Sequence, residues 1–84
     1  MRLYWITFRS VTPAQRGERL LASRGFHSTL QRTPRWMQEN GCGYCLRVGT
    51  DRIREVRALL DQAGLPYRKI YSQSPEGGME EMTI

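Results

Sequence analysis

Leu20-Leu21, with Gly25 four residues on, recurs as Leu59-Leu60 with Gly64, at an offset of 39 residues. In each copy the glycine stands where a helix ends, because a left-handed backbone there suits a residue without Cβ. Each helix is preceded and followed by a run with strand character. The chain of 84 residues therefore reads as one strand-helix-strand unit repeated once. Two such units joined by a hairpin form a ferredoxin-like βαββαβ sandwich. The expected fold is α+β: a four-stranded antiparallel sheet with two helices on one face.

The local patterns agree with this order. Residues 2–9 alternate, with Tyr4, Ile6 and Phe8 on one face and Leu3, Trp5 and Thr7 on the other. Thr12-Pro13-Ala14-Gln15 has the residues of a helix start, with Thr12 as cap and Pro13 at the first helical position. That helix is expected to run to about Arg24 with Ala14, Gly17, Leu20 and Leu21 inward. Residues 26–32 are a weaker strand, and residues 33–41 a loop containing Pro34, Trp36 and Met37. Residues 43–48 form the third strand, with Tyr44, Leu46 and Val48 on one face. Thr50-Asp51 are expected to cap a second helix that buries Ile53, Val56, Leu60 and Ala63. Residues 66–72 are the last strand, beginning at Pro66. The domain is expected to span residues 1–72, followed by a mobile acidic tail over 73–84.

The chemistry concentrates in Gly41-Cys42-Gly43-Tyr44-Cys45, which holds both cysteines. Glycines on either side leave the Cys42 sulfur open to approach. In the expected topology the first strand ends, and the third begins, at the same edge of the sheet. Cys42 is thereby expected beside the turn Arg9-Ser10-Val11-Thr12 and the N-terminus of the first helix. Helix N-termini offer free amides and partial positive charge, and such surroundings favour a thiolate. Gly41, Gly43, Arg9, Ser10, Thr12 and Arg16 are the residues expected to form this site. On a flat strand Cys42 and Cys45 point to opposite faces; a tight turn at Gly41–Gly43 would let their sulfurs approach. Cys45 reads either as a sheet-face residue or as a second active thiol.

Charge narrows the class of partner. Residues 1–72 carry a net +8, nearly all of it arginine, and residues 73–84 carry −3. Acidic proteins, anionic small molecules and nucleic acid all suit such a surface. The longest apolar run, Leu3-Tyr4-Trp5-Ile6, is too short for a membrane helix or a secretory signal, so a cytoplasmic protein is expected.

Strand residues Ile6-Thr7-Phe8, the Leu20-Leu21 to Gly25 helix end and Gly41-Cys42-Gly43 with Leu46-Arg47 carry a family resemblance. The second helix end at Leu59-Leu60 through Ala63-Gly64 and the Tyr67 to Tyr71 strand complete it. From about residue 3 to residue 72 the chain resembles the selenium/sulfur carrier-like family of short bacterial proteins. The resemblance implies a carrier that holds sulfur or selenium on Cys42, as a persulfide or selenosulfide, and hands it on. Donor and acceptor proteins such as a cysteine desulfurase are then its partners. No cofactor is implied beyond the covalently carried atom. Cys45 would be a resolving thiol that releases the cargo as a disulfide forms.

Two other functions compete. One is a non-enzymatic RNA- or protein-binding module, since open ferredoxin-like sheets stack bases on aromatics. Trp5 is expected to be exposed on that open face with Cys45 and Arg47, which also suits a homodimer interface. Gly43-Tyr44-Cys45 departs from the glycine and aromatic pattern of RNA recognition, which argues against nucleic acid. The other is a thiol-disulfide redox protein using Cys42 and Cys45, whose CxxC opens a strand rather than a helix. Two cysteines and the single His27 are too few for a zinc site within one chain.

Overall fold

The computed structural model describes residues 2–32, 43–73 and 79–81. The strands are β1 (Arg2–Phe8), β2 (Ser28–Arg32), β3 (Tyr44–Thr50), β4 (Ile70–Gln73) and β5 (Met79–Glu81). Two helices, α1 (Val11–Ser23) and α2 (Ile53–Gln62), follow β1 and β3. The sheet order is β2-β3-β1-β4-β5, and every pairing is antiparallel. Its first four strands have the expected βαββαβ arrangement, with β1 and β3 as central neighbours. The fifth strand is an addition to the expected fold: Met79–Glu81 lie in the stretch that reads as tail, and they pair with Tyr71–Gln73. Two glutamates among its three residues hide this strand in the sequence. An unpaired edge offers its backbone groups to any extended segment, whatever its side chains.

Period-two alternation in β1 and β3 sorts their side chains between two faces. Tyr4, Ile6 and Phe8, with Leu46, Val48 and Ile70, form one side of the main core. Ala14 and Leu21 of α1 and Ile53, Val56 and Leu60 of α2 form the other. Gly17 lets α1 lie close to the sheet: a Cβ there would come 3.2 Å from Leu46 Cδ1 and 3.3 Å from Phe8 Cζ.

The repeated helix ends have the same hydrogen bonds. Phe26 N–H donates to the Leu21 carbonyl and Gly25 N–H to that of Ala22; Leu65 and Gly64 do the same to Leu60 and Asp61. Gly25 and Gly64 have φ of +83° and +68°. This is a Schellman end, and the apolar pairs Leu21–Phe26 and Leu60–Leu65 are buried in the core with it. Arg52 stacks its guanidinium over Phe26, 4.8 Å from the ring centre, and pairs with Glu55.

Several boundaries depart from the sequence expectation. Ser10, not Thr12, is the N-cap of α1, and its side chain makes no capping bond. Pro13 then sits third in the helix, where its missing N–H is still harmless because first-turn amides have no intrahelical acceptor. Thr50 belongs to β3; its Oγ1 accepts the Arg52 N–H at 3.0 Å, and Arg52 caps α2. Ala63 is exposed as the C-cap of α2 rather than inward, and Leu20 is half-buried. The last strand begins at Ile70, not Pro66. Leu65 C=O accepts the Tyr67 N–H across Pro66, a tight γ-turn that proline's φ favours.

Candidate functional site

Thr7, near the end of β1, decides the local geometry. Its N–H donates to the Lys69 carbonyl at 2.8 Å, and its carbonyl accepts the Arg68 N–H at 2.7 Å. Its side-chain Oγ1 accepts the Lys69 N–H at 3.0 Å. Two residues of the incoming strand thus oppose one residue of β1, the count that defines a β-bulge. Thr7 is buried, so the hydroxyl replaces a ladder acceptor that water does not supply.

The bulge changes where two cations go. Neighbours on a flat strand point to opposite faces. Here Arg68 and Lys69 both line one cleft of about 720 Å³. Arg9, Ser10, Thr12 and Arg16, from the β1–α1 turn and the first turns of α1, form its other wall. Pro13, Pro66 and Tyr67 complete it with apolar and aromatic surface. Arg57 Nε donates to Tyr67 Oη at 3.1 Å and lies 3.8 Å from an Asp61 carboxylate oxygen, which anchors the Tyr67 ring from α2. Four cations and, among the described residues, no carboxylate line the cleft, and the first turn of α1 carries no acid to offset the positive end of the helix.

The site residues expected from the sequence are partly brought together. Arg9, Ser10, Thr12 and Arg16 share the cleft. Gly43 precedes β3, whose first residue, Tyr44, pairs with Phe8 at the same rim of the sheet. Because β1 lies between β3 and β4, Gly43 is on the other side of β1 from Arg68 and Lys69. Gly41 and Cys42 lie outside the described residues, as do Pro34, Trp36 and Met37. Arg68, Lys69, Pro13, Pro66 and Tyr67 are not among the residues the sequence marks for the site. Pro13 is marked in the sequence only as a helix-start residue, and the other four only as a Pro-Tyr-Arg-Lys string with the character of a strand start.

Cys45 is fully buried, packed with Trp5 and beside half-buried Tyr71 on the sheet face away from the helices. This is the face expected for both, but Trp5 is 8% exposed and is not the open aromatic surface anticipated there. Among the described residues no three His, Cys, Asp or Glu side chains gather as a metal site would require. Among them, too, no helix is long and apolar enough to cross a membrane.

The architecture is that of a small α+β sandwich with a basic cleft where β1, α1 and the start of β4 meet. A family model described as "Putative Se/S carrier protein-like" matches residues 3–72, and the chain belongs to that family. It matches no curated protein and no solved structure.

Proposed function

We propose that the chain is a sulfur or selenium carrier working through Cys42. Family membership across residues 3–72, a span that includes Cys42, carries the proposal. The Cys42 thiolate attacks the outer sulfur of a donor protein's persulfide. A new S–S bond forms on Cys42, the donor's S–S bond breaks, and the donor cysteine leaves as a thiolate. The outer sulfur moves as a unit, so no external oxidant or reductant is consumed. Delivery to an acceptor thiolate repeats the exchange in reverse.

The basic rim supports this chemistry. A thiolate or persulfide anion is favoured near guanidinium groups and helix amides. Gly43, the chain neighbour of Cys42, stands at the rim that also holds Arg9. Donor and acceptor enzymes, with a cysteine desulfurase as the natural source, are the proposed partners. The competing readings have less support. The RNA reading needs an exposed aromatic on the open face, and Trp5 is buried. The redox reading needs an accessible second thiol, and Cys45 is fully buried.

The test is intact mass after incubation of the reduced protein with a cysteine desulfurase and cysteine. The native chain and Cys45→Ala are expected to gain one sulfur that a reductant removes; Cys42→Ala is expected to gain none. No gain in the native chain, or an equal gain in Cys42→Ala, rejects the proposal.

A further inference from the structure

The basic cleft has a size and lining that cargo on a single sulfur does not require. Its volume of about 720 Å³ falls within the range of small-molecule sites, roughly 300–1,000 Å³. That is far more room than one inorganic anion fills. Its surfaces divide in two. Pro13, Pro66 and the Tyr67 ring offer apolar contact, and the Arg57 hydrogen bond holds the tyrosine in place. Arg9, Arg16, Arg68 and Lys69 bring positive charge from three separate stretches of chain. A ligand matched to both has a flat or apolar body and an anionic head. The head carries more than one charge, because four cations from three stretches of chain line the cleft. Phosphate meets that condition at neutral pH, and a carboxylate does not. Guanidinium groups also suit phosphate in shape, since paired N–H donors match paired oxygens.

We propose that this cleft binds an organic phosphate of nucleotide size, its phosphate among Arg9, Arg16, Arg68 and Lys69 and its body against Tyr67 and the two prolines. The bulge at Thr7 is part of the site, because it lets Arg68 and Lys69 line the same cleft. The proposal does not depend on the Cys42 carrier reading, and Cys42→Ser protein is used to keep the two apart.

The test is a titration of isotope-labelled Cys42→Ser protein with AMP, adenosine and inorganic phosphate, followed by amide NMR. AMP is expected to produce saturable shifts at Arg9, Thr12, Arg16 and Tyr67 through Lys69, with Kd below about 1 mM. Adenosine alone and phosphate alone are each expected to bind at least about tenfold more weakly, the loss of one charge-assisted hydrogen bond or its equivalent. Arg16→Gln and Arg68→Gln are each expected to weaken AMP by about the same factor. Arg54→Gln, on the exposed face of α2, is expected to leave its affinity unchanged. These arginines are exposed, and an unchanged amide spectrum in the absence of ligand verifies that each variant is folded. Absence of saturable shifts with AMP overturns the proposal. So does phosphate binding as tightly as AMP, which removes the organic body. Equal weakening by Arg54→Gln also overturns it, because diffuse charge would then explain the binding.

Discussion

Single residues in this fold are held by different terms, and substitutions separate them. At Gly25 and Gly64 a Cβ would find no other atom within 4 Å, so a side chain there meets backbone strain alone. Gly25→Ala and Gly64→Ala are each expected to lower stability by roughly 1–2 kcal/mol in urea unfolding, the cost of a left-handed backbone for an L-residue. Gly17 is the opposite case. Its backbone is ordinary helix, but Leu46 and Phe8 fill the space above it. Gly17→Leu is therefore expected to cost more than either alanine variant, because a packed core resists added volume. Ser28 Oγ is buried without a hydrogen-bond partner among the described residues. Ser28→Ala is expected to leave stability unchanged or raise it by up to about 1 kcal/mol, since no bond is lost and a desolvated hydroxyl is removed.

At the scale of elements, the junction between β1 and β4 is the most consequential. Thr7 joins them with its backbone and its hydroxyl at once. Thr7→Val keeps the size and β-branching but leaves the Lys69 N–H without its acceptor. A loss of about 1–3 kcal/mol is expected, together with amide shifts confined to residues 66–70. Thr7→Ser keeps the hydroxyl and is expected to recover most of that loss, which a purely steric role would not allow. The helices behave as their repeated ends suggest. Leu21 and Leu60 are both fully buried at the Schellman position, so Leu21→Ala and Leu60→Ala are each expected to cost about 2–5 kcal/mol. Both helices and most strands are legible in the sequence because alternation and helical spacing act over a few neighbouring residues. The element ends are less legible: Thr50 is claimed by the sheet, and Pro66 by a γ-turn, once their neighbours are in place.

For the molecule as a whole, the main core draws on β1, β3, β4 and both helices, and β5 adds its pairing with β4 at the sheet edge. We propose that residues 1–73 fold alone. A chain ended after Gln73 is expected to unfold cooperatively with a Tm within about 8 °C of the full chain, as the loss of roughly 1 kcal/mol of edge pairing would give. Multiphasic unfolding, or no folded state, would show that the last residues are integral to the domain. Of the thirteen cations in residues 1–72, four (Arg9, Arg16, Arg68 and Lys69) meet in the cleft at one rim.

The order of the first four strands and both helices, the two faces of β1 and β3 and the paired helix ends follow from the sequence alone. They rest on periodicity and on glycine conformation, which are properties of short stretches of chain. The convergence of Arg9, Ser10, Thr12 and Arg16 is legible too, since the topology puts the end of β1 beside the start of α1. The tertiary structure alone decides that Arg68 and Lys69 join them. That outcome depends on a threonine hydroxyl more than sixty residues away in sequence replacing a ladder acceptor, and no local pattern encodes which backbone N–H it will meet.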